Sequence, residues 1–133
     1  MQCKQADSVQ PLPAAQERAM IKFSILLRRK PSMTHDEFIA YHRQHHAPLF
    51  CALPEVRQHV RRYVQCHTVH ASIPGLPPAT FDGITELWFD DVAGLKAVFT
   101  SDSYMETIRP DEAQFLDLHG CEFVLSTENV VIA

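Results

Sequence analysis

The amino-acid sequence predicts one α+β domain with a ferredoxin-like, four-stranded antiparallel sheet and helices on one face. The predicted elements follow the order β-α-β-β-α-β, with a helical insertion before the last strand, which is the ferredoxin-like order. The chain has 133 residues, enough for one hydrophobic core but too few for two. Such a sheet leaves one face uncovered, and a second copy is the simplest cover for its apolar groups. A dimeric α/β barrel is therefore expected.

The first part of the chain divides into a tail and the start of the domain. Residues 1–19 are rich in Gln, Pro and Ala without a sustained period, which predicts a flexible N-terminal extension before a domain over 20–133. Residues 21–27 form the first predicted strand, because apolar side chains recur at every second position.

The first helix is predicted over residues 35–46. Thr34 and Glu37 have the spacing of a capping box, in which each side chain bonds the backbone N–H of the other residue. Pro48 disfavours helical geometry at Ala47, so the helix is expected to end there.

The remaining elements are predicted from alternation, capping residues and turn-forming residues. In order they are a strand over 60–67, a loop over 68–80, a strand over 81–89, a helix capped by Asp90 or Asp91 and reaching Phe99, a short helical piece over 101–108, a helix over 110–118 and a strand over 121–126.

Composition excludes several classes of function. A net charge of −4 argues against non-specific binding of nucleic acid or anionic membranes. No apolar run approaches the ~20 residues of a membrane span, and the N-terminus lacks a secretory signal, so a cytoplasmic protein is expected. The four cysteines have neither zinc-site nor disulfide spacing and are expected to be free, mostly buried thiols.

Polar and aromatic side chains of the second and third strands are expected on the open face of the sheet. Simple alternation assigns the more apolar residues to the helices and leaves the others facing outward: Tyr63, Gln65, His67, Asp82, Ile84, Glu86 and Trp88. A solvated surface, a structural salt bridge from Glu86 to an arginine and dimer packing of Trp88 are the alternatives.

The histidines at the end of the first helix form a second candidate feature. His42 and His46 are spaced i and i+4 and could chelate a metal, but Arg43 stands where a zincin motif has its glutamate. No metal is therefore predicted. His46, beside Pro48, is the candidate acid or base at the mouth of a cavity, whereas His42 and His45 are expected on the helix surface.

Several motifs in order resemble the EthD domain family. They are Met33-Thr-x-x-Glu-Phe-x-x-Tyr-x-x-x-His-His-Ala-Pro-Leu49, Arg62-Tyr-Val-Gln-x-His67, Phe81-Asp-Gly-Ile-x-Glu-Leu-Trp-Phe-Asp90, Asp111-Glu-x-x-Phe-Leu-Asp117 and Thr127-Glu-x-Val-Val-Ile132. The chain departs from the family at His42, where members often have an aromatic residue. The resemblance implies a dimeric barrel without an obligate cofactor, and it points to His46, Tyr63, Asp82, Glu86 and Trp88 as site residues.

Related proteins include dehydratases, decarboxylases and cyclases of polyketide pathways, and similar barrels include muconolactone isomerases and haem-degrading monooxygenases. The resemblance therefore favours a cofactor-free enzyme that dehydrates, decarboxylates, cyclises or isomerises a small aromatic, polyketide-like or lactone metabolite. His46, Tyr63, Glu86, Asp82 and His67 are the predicted catalytic residues, and Trp88, Gln65 and Ile84 the predicted substrate contacts. A non-catalytic accessory protein of an ether-degrading oxygenase system and a haem-dependent oxidase are the alternatives.

Overall fold

The computed structural model describes residues 20–133 and confirms the predicted ferredoxin-like sheet. The strands are β1 (Ile21–Leu27), β2 (Val60–His67), β3 (Gly83–Phe89) and β4 (Glu122–Ser126). All neighbouring pairs are antiparallel, and the strand order is β2-β3-β1-β4. The flexible extension predicted for residues 1–19 lies outside the described residues.

Within residues 20–133, five short α-helices accompany the sheet. They are α1 (His35–Tyr41), α2 (Ala47–Cys51), α3 (Pro54–His59), α4 (Val92–Phe99) and α5 (Arg109–Phe115). The predicted capping box is present at the start of α1, where the Glu37 N–H donates to Thr34 Oγ1 at 3.1 Å and the Thr34 N–H donates to Glu37 Oε1 at 2.8 Å. Asp91 caps α4 by accepting from the Gly94 N–H at 2.9 Å.

A π-helical turn over His42–His46 joins α1 to α2, so the prediction that Pro48 ends the helix is wrong. Ala47 keeps helical backbone angles, and its N–H bonds to the carbonyl of His42, five residues earlier. Proline has no N–H, and its ring crowds the carbonyl four residues before it in an α-helix. The wider turn accommodates both constraints, and the chain continues as a helix through Pro48.

The same arrangement precedes Pro110. A π-helical turn over Tyr104–Ile108 leads directly into α5, and the Arg109 N–H bonds to the carbonyl of Tyr104. The last helix therefore begins one residue before the predicted 110–118 segment and ends at Phe115, followed by a 3₁₀ turn over Leu118–Gly120.

Strand β2 contains a register shift that reverses which of its side chains face the helices. Val60 pairs with Phe89, but Arg62 pairs with Trp88, so Arg61 is one extra residue in the ladder. Beyond this bulge the pairs are Tyr63 with Leu87, Gln65 with Thr85 and His67 with Gly83. Paired residues share a face. The prediction that Tyr63, Gln65 and His67 face outward is therefore wrong, because strict alternation fails at a bulge.

The core lies between the helices and the inward face of the sheet. Its fully buried side chains include Phe38, Leu87, Phe89, Val98, Ile108 and Phe115. Of the cysteines within residues 20–133, Cys51, Cys66 and Cys121 are free thiols, and Cys121 alone is buried. Within the same residues, no helix is both long and apolar enough to cross a lipid bilayer.

Candidate active site

A cavity of about 360 Å³ lies between the inward face of the sheet and the helices. Its walls are largely aromatic and aliphatic, with a small set of polar groups at His42, His46, Tyr63, Thr85, Tyr104, Arg109 and Glu112. Phe123, on the edge strand β4, lines the cavity and is 60% exposed, so the cavity reaches the surface there. An apolar pocket with a few convergent polar groups is the usual form of a small-molecule site.

His46 and Asp111 form a buried imidazole–carboxylate dyad on one wall of this cavity. Nδ1 of His46 lies 2.8 Å from Oδ2 of Asp111, and only 8% of His46 and 6% of Asp111 is exposed. The acid also accepts from the Tyr41 hydroxyl at 2.5 Å and contacts Nδ1 of His45 at 3.1 Å. These contacts hold the carboxylate in place, and the bond to His46 fixes the proton on Nδ1. Nε2 is then the basic atom of the ring.

The electrostatics keep the His46 ring neutral and therefore able to accept a proton. Burial lowers the pKa of His46, although the hydrogen bond to Asp111 and its charge oppose this. A neutral imidazole backed by a carboxylate is the arrangement expected of a general base.

Tyr63 supplies a hydroxyl on the sheet side of the cavity. Its oxygen accepts from Gln65 Nε2 at 2.8 Å, and the same amide nitrogen donates to the His42 carbonyl at 2.9 Å. Burial raises the pKa of Tyr63 to about 12, with the Gln65 bond opposing the shift. The phenol therefore stays protonated at neutral pH and can donate a hydrogen bond into the cavity. The hydrogen bond from Gln65 orients the Tyr63 hydroxyl.

His42 lies wholly inside the protein, which corrects its predicted place on the helix surface. None of its surface is exposed, and its ring packs against both Phe38 and Phe115, at centroid distances of 5.4 and 5.7 Å. Burial, followed by the neighbouring His46 and His67, lowers the pKa of His42 to about 3. His45, by contrast, has 57% of its side chain exposed, as predicted.

The lowered pKa of His42 should make the protein less stable in mild acid. Between the ordinary histidine pKa near 6.5 and pH 3, the unfolded chain binds a proton at this position that the folded chain does not. Unfolding is therefore favoured as pH falls, by about 2 kcal/mol at pH 5. In urea denaturation, the free energy of unfolding of His42→Phe should fall by less between pH 7 and pH 5 than that of the wild type. His119→Gln, which changes an exposed histidine, should show the wild-type fall. An unchanged pH dependence in His42→Phe would contradict the assignment.

Another polar group stands on the helix side of the cavity. The Tyr104 hydroxyl bonds the carboxyl of Glu112, and Arg109 Nε lies 3.2 Å from the same carboxyl. Burial raises the pKa of Glu112, although Tyr104 and Arg109 oppose the change. Glu112 is thus a second acidic group that borders the cavity.

Asp82 lies just before β3, outside the cavity. It accepts from the backbone N–H of Arg29 at 2.9 Å and contacts His35 Nδ1 at 2.9 Å. Among residues 20–133, His35, His70 and Asp82 are the one group with metal-ligand spacing. The Arg29 guanidinium, whose Nε is 3.2 Å from Asp82, already neutralises the carboxylate, so we assign no metal to it.

The proposed chelating pair, His42 and His46, is already engaged in hydrogen bonds. Both nitrogens of His42 have partners, His67 and Thr85, and Nδ1 of His46 bonds Asp111.

Glu86, Trp88 and Ile84 lie on the open face of the sheet, as predicted, and not in the cavity. Glu86 pairs with Lys22 at 2.8 Å, so it forms a salt bridge like that of the alternative interpretation, but with a lysine instead of an arginine. The Trp88 indole donates to Glu128 at 2.7 Å, and Lys22 and Arg62 stand over its ring at 5.1 and 4.6 Å. The predicted site is thus divided between the two faces of the sheet.

A sequence profile described as the EthD domain matches residues 30–119. The chain belongs to the EthD domain family. No curated protein matches this EthD domain at a significant level.

Solved structures share the fold of this EthD domain. An ethyl tert-butyl ether d (EthD) family protein from Bacillus halodurans is 19% identical with a TM-score of 0.62, covering 83% of this chain and 99% of its own. A dimeric ferredoxin-like protein of unknown function from Bacteroides fragilis is 15% identical with a TM-score of 0.59, covering 83% and 97%. SnoaB, a cofactor-independent oxygenase from Streptomyces nogalater, is 10% identical with a TM-score of 0.56, covering 86% and 99%.

Five polar residues of the EthD domain site were missed by reasoning from the sequence: Thr85, Tyr104, Arg109, Asp111 and Glu112. Asp111 and Glu112 follow Pro110 at the start of a helix, where acidic residues usually complement the helix dipole. Thr85 looked like an ordinary strand residue. The available signal was the acidic pair in the family-like segment Asp111 to Asp117, but nothing local connects it to a histidine 65 residues away.

Proposed function

We propose that the protein is an enzyme that moves protons on a small, largely apolar metabolite, with His46 as the general base. The observation that carries this proposal is the buried His46–Asp111 dyad, at 2.8 Å, on the wall of an apolar cavity. Membership of the EthD family and the largely aromatic and aliphatic lining of the cavity support it. The substrate class is a small aromatic, polyketide-like or lactone metabolite, and the reaction a dehydration, decarboxylation, cyclisation or isomerisation.

Each polar group has a distinct part in this proposal. His46 Nε2 takes a proton from a carbon or hydroxyl of the substrate, and Asp111 stabilises the imidazolium that forms. The Tyr63 hydroxyl donates to a carbonyl or to a leaving hydroxyl. Asp82, Ile84, Glu86 and Trp88 lie outside the cavity and take no part in the proton transfer. His67 and Gln65 act through the residues that they contact.

The experiment that tests the proposal is proton exchange in D₂O. The protein is incubated with a panel of hydroxylated aromatic, polyketide-like and lactone compounds, and each compound is then analysed by mass spectrometry. An enzyme of this kind should introduce deuterium into, or convert, at least one compound. A compound that binds and returns both unlabelled and unchanged would instead support the alternative, a non-catalytic binding protein that accompanies a catabolic oxygenase.

We further propose that the open face of the sheet forms a homodimer interface. Val124 on this face is 48% exposed in the single chain, and Val64 and Ile84 stand beside the Lys22–Glu86 pair. A face that combines apolar side chains with internally paired charges suits burial against a second sheet. The dimeric relative from Bacteroides fragilis supports this choice.

A Val64→Glu variant should convert the dimer to a monomer. Val64 pairs with Glu86, so the new carboxylate would stand opposite an existing one and bring an unpaired charge into the interface. Sedimentation should give the 15.1 kDa monomer mass for the variant and twice that for the wild type. Val64→Thr is the matched control and should remain dimeric. A monomeric wild type, or a Val64→Glu variant that remains a dimer, would rule out this interface.

A further inference from the structure

Three hydrogen-bonding side chains connect the cavity with the outer end of β2. Thr85 lines the cavity, and its hydroxyl lies 3.2 Å from Nε2 of His42. Nδ1 of His42 lies 3.0 Å from Nε2 of His67. His67 is the last residue of β2 and is partly exposed, whereas Thr85 is 8% and His42 0% exposed. The chain of contacts therefore passes through the protein interior and emerges at the surface.

We propose that Thr85, His42 and His67 form a proton relay between solvent and the cavity. This inference rests on the proposed proton-transfer function, because it supplies the route by which the site exchanges protons with water. None of the three residues belongs to the His46–Asp111 dyad, so the relay and the base are separate devices.

Delivery of a proton can be written bond by bond. A water proton binds His67 Nδ1, the proton on His67 Nε2 moves to His42 Nδ1, the proton on His42 Nε2 moves to Thr85 Oγ1, and the original Thr85 hydroxyl proton moves to the ligand. Each relay group ends with the number of protons that it had at the start, and both imidazoles have changed tautomer. The reverse sequence removes a proton from the ligand to water. In the forward direction, water gives up one proton and the ligand receives one proton.

The surroundings favour exchange through neutral rings. Phe38 and Phe115 pack against His42, and the charged form of His42 is disfavoured by burial, by His46 on its own helix and by His67 on β2. At the outer end, burial together with Arg43 and His35 lowers the pKa of His67. A central residue that retained a charge would trap the proton, whereas a neutral imidazole can pass it on by switching tautomer.

Nitrogen NMR of the full chain with ¹⁵N-labelled histidine tests the relay without a substrate. When His67 is protonated, both of its nitrogens donate, so His42 should be held as the Nε2–H tautomer. As His67 loses its proton, the Nδ1–H tautomer of His42 should become populated while the ring remains neutral. In His67→Phe the tautomer of His42 should no longer follow pH. A single His42 tautomer at every pH, or a charged His42 in the same pH range, would overturn the relay.

A kinetic comparison separates the relay from the proposed base. The probe is a compound that the wild-type protein labels in the D₂O panel described above. Thr85→Val and His42→Phe should each slow its deuterium exchange at least about tenfold, and Thr85→Ser, which keeps the hydroxyl, should exchange at the wild-type rate. Full exchange rates in both disrupted variants would overturn the relay and leave His46 as the base. Full exchange in His46→Gln would overturn the proposed function instead, and the NMR result on His42 would be unaffected.

Discussion

A His46→Gln variant should lose proton-transfer activity by about 10²- to 10⁴-fold, the range that a positioned general base contributes. The glutamine amide can still donate to Asp111, so a hydrogen bond replaces the 2.8 Å contact and the cavity wall stays packed. The variant lacks the basic ring nitrogen, Nε2 of His46. The rate of deuterium incorporation from D₂O into the identified ligand is the measurement, with ligand binding followed separately.

The neighbouring His45→Gln variant is the matched control for this experiment. His45 also contacts Asp111, at 3.1 Å, but 57% of its side chain is exposed. It should retain activity within a factor of a few, because an exposed contact contributes little. If His46→Gln keeps the full exchange rate while binding the ligand normally, His46 is not the base.

An Asp111→Asn variant should lose both activity and stability. An amide NH₂ directed at His46 would donate to Nδ1 and move the ring proton to Nε2, removing the basic atom from the site. Activity should fall about 10²- to 10⁴-fold, as for loss of the base itself. The free energy of unfolding should fall by about 3 kcal/mol, because Tyr41 and His46 lose a charged acceptor in a buried position.

The effect of Asp111 on His46 gives this variant a second signature. The carboxylate opposes the lowering of the His46 pKa by burial. Its loss should move that pKa still lower, which NMR titration of the ring can follow. Urea denaturation supplies the stability, and Tyr41→Phe is the control that removes one hydrogen bond without altering the charge. An Asp111→Asn protein with wild-type activity and an unmoved His46 titration would contradict the dyad.

The fold could be predicted because its signals are local. The capping box at Thr34, the alternation in β1 and the cap at Asp91 each depend on a few consecutive residues, and each was confirmed. The helix end predicted at Pro48 was wrong because an i to i+5 bond, which no short-range rule anticipates, allowed the helix to continue. Before Pro110 the same kind of bond joins two segments that were each predicted to be helical.

The site was only partly predictable, and one reason is a single residue. One extra residue at Arg61 reverses the direction of every later side chain in β2, which brings Tyr63 and His67 to the helix side and away from Glu86 and Trp88. The dyad partner of His46 lies 65 positions away along the chain, and no local pattern connects the two residues. His46 itself was found because its motif is compact.

The two π turns also affect how this chain can be aligned with its relatives. A π turn contains one residue more than the α-helical turn that it replaces, so each is equivalent to a one-residue insertion within a helix. A homologue that lacks proline at either position can span the same distance with one residue fewer. An ungapped alignment would then place His46 in the wrong column, although the two helices follow the same path.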